Sequence, residues 1–129
     1  MDQLAHYAKQ LDSLMARDQR YPLSAYGFVL TALHATVGNL QHPRHISGQE
    51  LAQGFRRFAL EQFGPMTLTV LERWSIRSTE DVGRIVFNLI DVGLLNKSPG
   101  DRLEDFQRLY DFQEAFGGPY PYLTHPSPN

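Results

Sequence analysis

The chain has 129 residues, 42% of them hydrophobic and 20% charged, which is the usual size and composition of one domain with its own core. The absence of cysteine removes disulfides, thiolate nucleophiles and thiolate metal sites. Twelve basic residues against fourteen acidic ones give a formal charge of -2, so the whole-molecule field offers no general attraction to nucleic acid or to anionic lipid.

The first element is an amphipathic helix over residues 3–17, where Leu4, Tyr7, Ala8, Leu11, Leu14 and Met15 recur at helical spacing. The start has neither a basic leader nor a continuous apolar run, and no stretch approaches the roughly 18 uninterrupted apolar residues of a membrane span, so a cytoplasmic location is expected. Pro22 disfavours helical geometry at Tyr21. A second helix is predicted from about Ser24 to Leu40, with Tyr26, Val29, Leu30, Leu33, Val37 and Leu40 as its apolar stripe.

Ser47 and Glu50 have the spacing of a capping box, which starts a third helix at Gly48. Its buried face is Leu51, Phe55, Phe58, Ala59 and Phe63, and Gly64-Pro65 ends it. Gln53, Arg57 and Glu61 fall four residues apart on another face, where neighbours support one another. A short helix from Met66 to Trp74 follows, with Trp74 expected as a core anchor.

Ser78 and Asp81 repeat the start signal for a helix from Thr79 to Val92. Its polar residues shrink to a stripe of Asp81, Arg84, Asn88 and Asp91, which predicts the most buried helix of the molecule. Gly93 caps it. The run LLNKS, the turn residues Pro99, Gly100 and Asp101, and then RLEDF suggest a small hairpin near residues 94–106. DFQRLYDFQEAF returns to helix. The last thirteen residues hold four prolines and two glycines, which predicts an extended or disordered tail over 117–129 carrying Tyr120 and Tyr122.

The expected architecture is therefore all-α: a compact bundle of about five or six helices in a single domain over 1–116. Arg17-Asp18-Gln19-Arg20-Tyr21, Ser47 to Leu51 (SGQEL), Phe63 to Met66 (FGPM), Val70 to Trp74 (VLERW), Ser78 to Asp81 (STED), Ile85 to Leu89 (IVFNL) and Gly93-Leu94-Leu95 resemble a small uncharacterised bacterial protein family of the conserved-hypothetical type. The resemblance covers roughly residues 17–116. It implies no catalytic residue, substrate or cofactor.

Residues 66–106 also resemble the layout of a winged helix, which implies a second helix entering a groove and a hairpin touching phosphate. Arg84, Lys97 and Arg102 would then contact nucleic acid. Asp81 and Asp91 on that helix, with Asp101, Glu104 and Asp105 on the wing, cancel this charge locally.

His34, His42 and His45 lack the spacing of a metal site and are expected in surface positions, and neither a nucleophile elbow nor a phosphate-cradling loop occurs. No catalytic, cofactor or metal residue is nominated. Arg44, Arg56 and Arg57 are the candidates for a small anion or an acidic partner, although exposed arginines on a helix are more often scaffold. Asp111, Phe112, Glu114 and Phe116 read as a last helix closing the core, or as a docking element. The functional expectation is a non-enzymatic interaction or adaptor domain with a protein partner; the alternatives are a winged-helix-like nucleic-acid-binding regulator and a small-anion-binding module.

Overall fold

The computed structural model describes residues 2–117, with side chains from residue 8 onward, so the proline-rich tail beyond Gly117 lies outside the described residues. Six helices follow one another: α1 (Asp2–Arg17), α2 (Leu23–Gly38), α3 (Gly48–Phe63), α4 (Thr67–Arg73), α5 (Thr79–Asp91) and the single-turn α6 (Phe112–Phe116). Two 3-10 turns, Gly64–Met66 and Leu103–Phe106, complete the regular structure, and no strand occurs among the described residues. No helix there is long and apolar enough to cross a membrane.

The start of α3 has the predicted chemistry. The Glu50 amide donates to Ser47 Oγ at 3.1 Å, and the Ser47 amide donates to Glu50 Oε1 at 2.8 Å, so two otherwise unpaired donors are satisfied reciprocally. At the start of α5 the boundary is as expected but the agent is not. Ser78 makes no capping bond from its hydroxyl, and Asp81 instead reaches back to accept the Arg77 amide at 2.9 Å. Gly93 adopts φ +84° after α5, and the Leu94 amide returns to the Leu89 carbonyl at 2.9 Å in a Schellman-type close.

Helix α5 is central, as the narrow polar stripe predicts: of its thirteen residues only Asp91 is exposed. It packs against α1, α2, α3 and the second 3-10 turn. The most extensive helix pair is α2 with α3. Their contact is built on small residues: Ala32 and Thr36 are buried, and a Cβ placed on Gly54 would lie 1.9 Å from Thr36 Oγ1. That close approach turns Leu33 and Val37, read from the sequence as core stripe, into half-buried side chains along one edge.

The hairpin expected near residues 94–106 is not formed. Leu94 and Leu95 lie against the core, and the chain turns at Ser98 to Asp101, where the Asp101 carboxylate accepts the Ser98 amide at 2.9 Å. The second arm coils into the 3-10 turn because buried Thr79 captures it: Thr79 Oγ1 donates to the Phe106 carbonyl at 2.6 Å and accepts the Leu109 amide at 3.2 Å. The same capture prevents a continuous helix from residue 106. A helix would direct the Phe106 carbonyl to the amide of Tyr110, but that carbonyl is already engaged, and Arg108 takes φ +49°. Helix restarts only at Phe112, with Asp111 accepting the Gln113 amide at 3.1 Å.

Phe106 locks this turn in place. Its ring and Cβ sit between Gly48 of α3 and Gly83 of α5, where added Cβ atoms would lie 3.0 Å and 2.8 Å away respectively. A side chain at Gly83 would require the turn to shift, and one at Gly48 would crowd the Phe106 ring.

Candidate binding surfaces

Three groupings of functional side chains stand out, and the first is a polar network along α5. Tyr21 donates from its hydroxyl to Asp81, and Arg84 Nη1 donates to the same carboxylate at 2.8 Å. Asn88 Nδ2 donates to Asp18 Oδ2 and to the Tyr26 hydroxyl, each at 3.1 Å. Arg20 grips Asp18 with two bonds of 3.0 and 2.8 Å, and Arg17 pairs with Asp91 at 2.6 Å.

Every polar member of the α5 stripe thus has a partner within the network. The hydrogen bonds from Arg20 hold the Asp18 carboxyl down to about 2, and burial pushes the Tyr21 phenol well above its ordinary range. This stripe is the line along which the segment from Arg17 to Tyr26 docks. Arg84 is drawn into it by Asp81, whereas Lys97 and Arg102 belong to the 94–106 segment and make no bond to this network.

The second grouping is a cleft of about 360 Å³ between α2, α3, α5 and the 94–106 segment. Its apolar wall includes Leu33, Val37, Leu51, Phe87, Ile90 and Phe106. Its polar residues stand at the mouth. Arg44 chelates Glu50 with bonds of 3.1 and 2.7 Å, which is the largest cause holding the Glu50 carboxyl down to about 2. His45 Nε2 lies 2.9 Å from Asp101 Oδ2, joining the segment before α3 to the segment after α5. Arg102 and Asp105 complete the rim.

The third is an aromatic patch where α2, α3 and α4 meet. The Phe28 ring lies 5.2 Å from Phe58, 5.1 Å from Phe63 and 5.4 Å from Trp74, and all four rings are only partly buried. Trp74 is therefore an edge residue and not the enclosed anchor that its size suggested. Met66, in the turn joining the helices of Phe63 and Trp74, is 55% exposed.

The nominated arginines are not brought to one site. Arg44 is held by Glu50; the Arg56 guanidinium lies 5.7 Å from the centroid of the Tyr110 ring, whose hydroxyl donates to the Ala52 carbonyl at 2.6 Å. Arg57 is exposed and forms no ion pair with Glu61. His34, His42 and His45 are all exposed, as expected, and His34 and His45 also line the cleft. Among the described residues no group of three or more His, Asp or Glu is disposed to hold a metal ion. Phe112 and Phe116 are buried in a cluster with Tyr110, where Phe112 stacks on Tyr110 and Phe116 meets both rings edge-on.

Comparison with protein-family models, with curated proteins and with solved structures finds no match to this chain.

Proposed function

We propose that the protein is a non-enzymatic interaction domain that engages a protein partner through the aromatic patch of Phe28, Phe58, Phe63 and Trp74, with Met66 beside it. The observation that carries this reading is the clustering of four partly buried rings beside an exposed methionine. Aromatic and methionine side chains are enriched at protein interfaces, and tryptophan is prominent among the residues whose truncation costs most binding energy. The four rings and the methionine form one contiguous apolar surface, the kind of patch that marks an interaction site.

The test is site-selective crosslinking. A photoreactive side chain replacing Met66 is expected to capture a discrete partner from lysate of the native cell, and the same group replacing Asp12 on α1 is not. Binding of the purified partner should then shift the emission of Trp74, the only tryptophan of the chain, to shorter wavelength. Equal capture at both positions, or a complex that leaves the emission unchanged, overturns the assignment.

A further inference from the structure

We propose that the cleft between α2, α3 and α5 binds a small, uncharged, apolar molecule, a short aliphatic chain or a compact aromatic. This site is separate from the aromatic patch, and the inference does not depend on the interaction reading. Size comes first. Ligand sites run from roughly 300 to 1,000 Å³, and an apolar cavity of about 150 Å³ already holds benzene. The cleft, at about 360 Å³, has room for about two such rings or a chain of comparable bulk.

Its walls are held open by the architecture. Leu33 and Val37 are kept at the edge of α2 by the close packing of Thr36 on Gly54, while Phe87 and Ile90 come from the rigid central helix. Phe106 forms the opposite side and cannot retreat, because Thr79 holds its carbonyl and two glycines admit its ring. An apolar occupant would remove these half-buried side chains from water, at roughly 25 cal/mol for each Å² covered.

Charge at the mouth selects against ions of either sign. Arg44 is neutralised by Glu50, and Asp101 is held by His45 and the Ser98 amide. Arg102 and Asp105, of opposite charge, stand three residues apart in one turn, and the Arg102 amide donates to the Asp105 carboxylate at 3.0 Å. An entering anion meets Asp101 and Asp105, and an entering cation meets Arg44 and Arg102. Arg44 and Asp101 are already paired, and Arg102 and Asp105 carry opposite charges, so a charged headgroup drawn among the apolar walls loses hydration with little replacement.

The probes are octan-1-ol, octanoate and octyltrimethylammonium, titrated into the full chain and followed by amide chemical shifts. Octanol is expected to produce saturable shifts concentrated at Leu33, Val37, Phe87, Ile90 and Leu95, with both charged analogues binding at least about tenfold more weakly. Leu33→Trp should fill the space and abolish the octanol shifts while leaving the helical circular dichroism intact; if that variant does not fold, the titrations of the unaltered protein decide the matter. Absence of saturation with octanol, shifts centred on Phe58 and Trp74, or a charged analogue binding as tightly as the alcohol would each overturn the proposal.

Discussion

Two chemically identical substitutions should move stability in opposite directions. Gly27 and Gly83 both lie inside helices, and alanine there gains about 0.5–1 kcal/mol of helical preference. At Gly27, on the exposed side of α2, an added Cβ meets nothing within 4 Å, so Gly27→Ala should stabilise by about that amount. At Gly83 the new methyl would stand 2.8 Å from Cβ, Cγ and Cδ2 of Phe106, the root of a buried side chain and not a flexible end. The 3-10 turn cannot back away cheaply, because Thr79 holds the Phe106 carbonyl at 2.6 Å. Overpacking of this kind costs about 1–3 kcal/mol, so after the helical gain Gly83→Ala should be destabilising by up to about 2.5 kcal/mol, centred on about 1 kcal/mol. With a urea slope of about 1.5 kcal/mol per molar, the midpoint should fall by about 0.7 M for Gly83→Ala and rise by about 0.5 M for Gly27→Ala, at unchanged slope. A rise for both variants would refute the wedging of Phe106 and with it the fixed wall of the cleft.

Thr79→Val keeps the shape of a buried side chain but removes one donor and one acceptor, leaving the Phe106 carbonyl and the Leu109 amide without this partner. A loss of about 1–3 kcal/mol is expected, with hydrogen exchange accelerated selectively over residues 103–110. Ser47→Ala removes the oxygen that accepts the Glu50 amide and should cost about 1 kcal/mol in chemical denaturation, with fraying confined to the first turn of α3. Asp18 has its carboxyl held at about 2 in the fold, below an unfolded value of about 3.9, so its contribution is complete above that value and is lost as pH falls toward the lower one. Unfolding followed between pH 4.5 and 2 should show a shallower acid dependence in Asp18→Asn than in the parent; identical slopes would remove Asp18 as a source of acid sensitivity.

The local signals along the chain were legible because they act within a few residues. The capping box of Ser47 and Glu50, the Gly-Pro end of α3 and the Gly93 cap of α5 each involve groups brought together by one turn of backbone. The departures share a different cause. Thr79 controls the chain 27 and 30 residues away, and no spacing rule reveals that its hydroxyl will take the groups a following helix needs. Ala32 and Thr36 looked unremarkable beside the leucines of α2, yet their smallness admits α3 and thereby displaces Leu33 and Val37 to the edge. The cleft follows from that tertiary choice: its residues were readable as apolar, but only their packing shows which of them remain uncovered.

The same packing brings together polar residues that lie far apart in the sequence. Residues of RDxRY, STED and IVFNL lie about 60 to 70 positions apart in sequence, yet Tyr21 meets Asp81 and Asn88 meets Asp18 in one hydrogen-bonded line along α5. Such a line costs desolvation, which is offset by the bonds that Arg20 and Arg84 donate to the two carboxylates and by the bond that Asn88 donates to the Tyr26 hydroxyl. It fixes the turn between α1 and α2 against the central helix and so sets where α2 enters the bundle. The position of α2 in turn decides both the edge that lines the cleft and the seat of Phe28 in the aromatic patch. Polar residues that look, one by one, like candidates for chemistry are thus part of the scaffold that positions the cleft and the aromatic patch.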